Sequence, residues 1–160
     1  EPGQGTTVRL ILPRGTETGE REAPLGRTAP VSGRGERILV VEDELSLLMM
    51  TEHLITSLGY RLVTARTGAQ ALERFGDGSE FDLVITDIVM PGGLDGFQLA
   101  KALRTRRPDV PLLYTSGYTG YSDDDMGDVI APLVQKPCPP QELAAAIRRA
   151  LAKDAADDTG

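Results

Sequence analysis

An α/β domain with a parallel sheet covered on both faces is the fold class that this 160-residue chain predicts, and three observations lead to it. Short apolar runs alternate five times with segments of helical periodicity. Runs such as RILVV at 37–41 and FDLVIT at 81–86 have no polar alternate side, so neither face of the sheet is suited to water. Polar residues gather where the runs end, the edge at which parallel sheets present their ligand sites.

Residues 14–36, RGTETGEREAPLGRTAPVSGRGE, are rich in Gly, Pro, Thr and charge without apolar periodicity. They read as a flexible linker, so a domain over 37–153 is expected to begin at Arg37. RILVV is a buried strand running into Glu42, Asp43 and Glu44. Leu47, Met50, Leu54 and Leu58 then recur at helical spacing and predict a helix that buries this stripe and stops at Gly59. YRLVTA is the second strand, and TGAQALERF the second helix, ended by GDG. FDLVIT is the third strand and delivers Asp87. In the loop that follows, Pro91, Gly92, Gly93 and Gly96 serve turns, and Asp95 caps the helix FQLAKALRTRR, which stops before Pro108. PLLYT and LVQ are the fourth and fifth strands, and PQELAAAIRRALAK is a closing amphipathic helix with Glu142 in its first turn. Between Tyr118 and Pro132 the sequence TGYSDDDMGDVIA predicts only a short or irregular acidic helix, and 154–160 a polar tail.

Composition narrows the function. A net charge of −7 disfavours nucleic acid and anionic membranes as partners. The single cysteine, Cys138, rules out an intrachain disulfide or multi-cysteine metal site and fits a reducing compartment; it reads as a small space-filling residue beside prolines. No apolar stretch reaches the roughly 20 residues of a membrane helix, and residues 1–15 lack a basic-then-apolar targeting pattern. A soluble, cytoplasmic fragment is expected. Asp123, Asp124 and Asp125 read as a solvated surface.

Glu42 and Asp43 follow the first strand, Asp87 the third, Thr115 and Ser116 the fourth, and Lys136 the fifth. Each has a bland reading alone: helix start, loop polar group, turn former, solvated lysine. Together they would meet on one rim, where three carboxylates repel unless a cation sits among them, and an all-oxygen set suits Mg²⁺. A lysine and a hydroxyl facing that cation would receive phosphoryl oxygens, and the central Asp87 would be the nucleophile of an aspartyl-phosphate.

The motifs ILVVED, LVITDIVMPGGLDG, PLLYTSGY and LVQKP, in this order from Arg37 to Lys153, resemble those of response-regulator receiver domains. The resemblance implies a flavodoxin-like (βα)5 fold with strand order 2-1-3-4-5. It implies Mg²⁺ held by Glu42, Asp43, Asp87 and the Val89 carbonyl, phosphorylation of Asp87, and a switch through Ser116, which matches the family hydroxyl better than Thr115, and Lys136. It also implies a cis Lys136–Pro137 peptide, and a histidine kinase or histidine phosphotransfer protein as partner. Leu133 stands where the family often has a switching aromatic residue, so a conventional aromatic switch is not expected. The weak fourth helix argues against a DNA-binding output through that face. Leu45, Leu48 and Met49 lie off the predicted core stripe and are expected to be exposed beside the rim as a docking face for the phosphohistidine partner. His53 on the same helix reads as a surface residue, without the neighbouring acid of a phosphoacceptor histidine. The rival reading, a Mg²⁺-dependent phosphohydrolase with an aspartyl nucleophile, wants an aspartate two places after Asp87, where Val89 stands. A receiver-like scaffold that is never phosphorylated is a third reading, opposed by the intact Glu42, Asp43, Asp87 and Lys136.

The opening stretch GQGTTVRLILP is no phosphate loop, because no lysine follows the glycines and a strand, not a helix, comes next. It resembles the final strand of a histidine-kinase ATP-binding domain. Residues 1–13 are thus expected to be a remnant of that domain, and the parent a hybrid histidine kinase that can dimerise through its kinase part.

Overall fold

The computed structural model describes residues 9, 33–76, 80–118, 120, 121, 127 and 129–157. Within them, nine elements follow one another: β1 (Arg37–Val41), α1 (Leu45–Ser57), β2 (Arg61–Ala65), α2 (Gly68–Gly76), β3 (Leu83–Asp87), α3 (Gly96–Arg106), β4 (Leu112–Ser116), β5 (Leu133–Gln135) and α4 (Pro140–Asp157). The strands form one parallel sheet in the order β2-β1-β3-β4-β5, the flavodoxin-like order implied by the sequence. The chain steps outward from β1 to β2 and then back across β1 to β3. The reversal leaves a crevice at the carboxyl ends of β1 and β3.

Strand alternation divides the core in two. Leu39, Val41, Val84, Leu112 and Tyr114 meet α2 and α3 on one face, through Ala71, Leu99 and Leu103. Ile38, Val40, Leu83, Ile85 and Leu113 meet α1 and α4 on the other, through Leu48, Ile55 and Ile147. Each large aliphatic side chain buried this way contributes about 1.5–3 kcal/mol, which is why the strands need two covered faces.

Several sequence expectations shift. α4 runs to Asp157, four residues into the predicted tail. The folded unit starts earlier than Arg37: the Gly33 N–H donates to the Leu58 carbonyl at 2.8 Å, and the Arg61 N–H to the Glu36 carbonyl at 2.9 Å. A side chain at Gly33 would lie 2.6 Å from the Gly59 carbonyl carbon, so this approach requires glycine. Gly59 itself, at φ 88°, ends α1 as predicted. The helix predicted across 119–131, Asp123 to Asp125, and the strand and linker predicted over 1–36 fall wholly or mostly outside the described residues. No described helix is long and apolar enough to cross a membrane.

The largest correction concerns α1. Leu48, expected to be exposed, is 5% accessible and belongs to the core, whereas Met50, expected in the core stripe, is 69% accessible. Leu47 to Met50 are four consecutive apolar residues and circle the whole helix, so periodicity alone cannot choose between two overlapping stripes. Packing against the sheet selects Leu48, Ile55 and Leu58.

Candidate functional site

The crevice at the strand ends is lined by Glu42, Asp43, Glu44, Asp87, Val89, Met90, Pro91, Gly117 and Lys136 among others. Carboxylate oxygens of Glu42, Asp43 and Asp87 all lie within 4.8 Å of one another. Lys136 reaches in from the end of β5, its Nζ donating to Glu42 Oε2 at 2.5 Å and to Asp87 Oδ2 at 2.8 Å. The ammonium therefore bonds two of the three acids while offsetting one of their charges. The Asp43 carboxylate takes no hydrogen bond or ion pair from the described residues. With the acids ionised, two negative charges stay unbalanced, and a hard, all-oxygen donor set of that charge suits a small divalent cation such as Mg²⁺.

Burial raises the Glu42 carboxyl above its usual value of 4.5, against the lowering effect of the Lys136 hydrogen bond and charge. For Lys136 burial acts to lower the value, but the hydrogen bonds and charges of Asp87 and Glu42 outweigh it and hold the ammonium above 10.5. Lys136 is charged across the physiological range.

Backbone contacts hold Asp87 in place. Its Oδ1 accepts the Val89 N–H at 3.2 Å, and the Ile88 carbonyl accepts the Gly96 N–H at 2.9 Å. A β-carbon at Gly96 would sit 2.3 Å from the Asp87 carbonyl oxygen. Gly96 is thus a close-approach residue that lets α3 start against the end of β3, a role beyond the turn read from sequence. Asp95 does cap α3, accepting the Gln98 N–H at 2.8 Å while the Gln98 side chain accepts the Asp95 N–H at 3.1 Å. Gly92 and Gly93 have positive φ, as turn residues do.

Ser116 ends β4 fully buried, and its Oγ accepts the Tyr118 N–H at 3.0 Å. Thr115 lines a different space, an apolar groove between α1 and α4 with Met50, Leu54, Val134 and Leu143, which reaches Lys136. Cys138 also lines this groove, its thiol raised above the usual value chiefly by burial. The Lys136–Pro137 peptide is cis. Leu133 opens β5 opposite Tyr114 and packs against the same core cluster as Phe97 and Tyr121 do. Tyr114, Phe97, Tyr121 and Tyr118 form a run of edge-to-face rings that sequence reading did not single out, with centroids 5.1–5.4 Å apart. Burial pushes the Tyr114 hydroxyl up to about 12, and it donates to the Val129 carbonyl. Of the expected docking residues, Leu45 and Met49 are exposed at 55% and 61%; Leu48 is not. His53 is exposed.

A family model described as the response regulator receiver domain matches residues 38–148. The chain belongs to the response regulator receiver family. This receiver domain is 31% identical over 164 residues to the sensor kinase CckA of Brucella abortus, a match covering 96% of this chain and 17% of that protein. Among solved structures, a response regulator receiver protein from Sinorhizobium medicae is 29% identical with a TM-score of 0.70, covering 76% of this chain and 98% of that one. The response regulator TrrA of Thermotoga maritima, solved in complex with Mg²⁺ and BeF, is 32% identical with a TM-score of 0.67, covering 72% and 99%. The chain is a receiver domain of two-component signalling.

Proposed function

We propose that this receiver takes a phosphoryl group from a phosphohistidine onto Asp87 in a Mg²⁺-dependent reaction, with a conformational switch through Ser116 and Lys136. The observation that carries this reading is the convergence of Glu42, Asp43 and Asp87, with Lys136 bonded to two of them. An Asp87 carboxylate oxygen forms the new P–O bond while the P–N bond breaks. The imidazole nitrogen keeps that electron pair and takes a proton from solvent. Glu42, Asp43, Asp87 and the Val89 carbonyl would hold Mg²⁺, which when bound offsets the charge of carboxylates and phosphoryl oxygens. Lys136 orients Asp87 and presents its ammonium to a phosphoryl oxygen. Ser116, whose Oγ already accepts the Tyr118 N–H, has its hydroxyl hydrogen to donate to another. Leu133, packed beside the ring run, moves as a rotameric residue where an aromatic would swing.

Leu45 and Met49, with Met50 in place of Leu48, form the face offered to a histidine kinase domain or a phosphotransfer protein. A match to a sensor kinase over 96% of this chain, beyond the receiver segment itself, supports a hybrid histidine kinase as parent. Residues 1–13 would then be the last strand of its ATP-binding part, 14–32 the linker, the setting cytoplasmic, and any dimer formed through the kinase. Val89 gives no polar group to orient water, so the acyl phosphate is long-lived; rapid loss with Mg²⁺ present contradicts that point. The test of the whole reading is incubation with a small phosphodonor and Mg²⁺, followed by intact-mass measurement of wild type and Asp87→Ala. One added phosphoryl group in wild type alone supports it.

A further inference from the structure

We infer that Arg66 is a positioning residue for the metal site, clamping the loop that carries Asp43. The inference rests on the metal site proposed above. Arg66 follows β2, and its guanidinium Nη2 donates to the Asp43 carbonyl at 3.0 Å. One residue back, the Ala65 carbonyl accepts the Glu42 N–H at 3.1 Å. The β2–α2 turn thus holds both acids of the β1–α1 loop through backbone groups. The turn is itself fixed: the Arg66 N–H donates to Gln70 Oε1 at 2.9 Å, and the Gln70 N–H to Thr67 Oγ1 at 3.2 Å. These two bonds at the start of α2 set the direction from which the Arg66 side chain leaves.

Asp43 is the acid that depends on such an anchor. Glu42 and Asp87 are oriented by Lys136, whereas no described residue bonds the Asp43 carboxylate. Its position is set by its backbone, and Arg66 bonds that backbone. Groups that orient a ligand without touching the metal typically matter about 10–100-fold when buried; this one is exposed to solvent, so an effect of about three- to tenfold follows.

Arg66 also carries a positive charge beside an acidic site, and the two roles predict opposite signs. Removing a cation on charge alone tightens divalent binding; losing an anchor weakens it. Binding of Mn²⁺, followed by electron paramagnetic resonance and competed with Mg²⁺, reads that sign without any phosphorylation. Arg66→Ala should weaken Mn²⁺ binding about three- to tenfold, Arg66→Lys should recover part of it, and Gln70→Ala should lie between wild type and Arg66→Ala. Thermal melting of each variant confirms that it is folded. In labelling by a small phosphodonor, Arg66→Ala should raise the half-saturating Mg²⁺ concentration and leave the rate at saturation unchanged. Unchanged or tighter Mn²⁺ binding by Arg66→Ala overturns the inference. An Asp43→Asn variant that binds Mn²⁺ as wild type does overturns the metal site itself, and the anchor with it.

Discussion

α1 and α3 are the helices that follow the two strand ends where the acids gather, yet their starts are built in opposite ways. α3 opens with a complete capping box from Asp95 and Gln98 and with Gly96 pressed against the Asp87 backbone. α1 opens on Glu44 with no side-chain cap and carries exposed Leu45, Met49 and Met50 on its outer side. The contrast separates two needs of one site. Asp87, the proposed nucleophile, has to be held in a fixed position, and backbone packing does that. In the proposed function a partner also has to be met, and the apolar surface left uncovered beside the crevice is the face proposed for it.

Substitutions that exchange the two behaviours break the comparison most directly. Gly96→Val forces a side chain into the Asp87 carbonyl; it should cost about 2 kcal/mol or more in stability and at least about tenfold in labelling of Asp87, measured by denaturant unfolding and by intact mass. On α1, Leu48→Glu and Met50→Glu should part company. The first places a charge in the core and should cost about 3 kcal/mol or more, whereas the second should leave the melting temperature near that of wild type. Met49→Glu combined with Met50→Glu should slow transfer from a phosphohistidine partner about tenfold and spare reaction with a small phosphodonor. Equal loss in both assays would remove the docking role. The smallest effect belongs to Asp95→Ala, about 1 kcal/mol from the lost cap, with Asp87 labelling little changed because Gly96 and Lys136 still fix the acceptor.

The same contrast explains what could be read from the sequence. The convergence of Glu42, Asp43, Asp87 and Lys136 was legible because each follows an apolar run, and a parallel sheet brings run ends to one edge. The element order and two of the strands, RILVV and LVQ, were legible for the same reason. Leu48 and Met50 were not, since four adjacent apolar residues leave the buried side of α1 to tertiary packing. Gly96 and Arg66 act through backbone groups of distant residues, a kind of contact that leaves no periodic signal. In Gly96 the only hint was a glycine directly after an N-cap, where a turn needs none. The docked residues 33–36 were hidden by a Gly-rich composition that reads as linker, although the glycine at 33 is what allows the close approach.

The central claim is that the acids gathered at the ends of β1 and β3 make Asp87 a phosphoacceptor. Intact-mass measurement after reaction with a small phosphodonor tests it most directly, with and without Mg²⁺, on wild type and Asp87→Ala. A single phosphoryl group on wild type, dependent on Mg²⁺ and absent from the variant, is the expected result. Equal labelling of the variant, or none of the wild type with Mg²⁺ present, would contradict the claim.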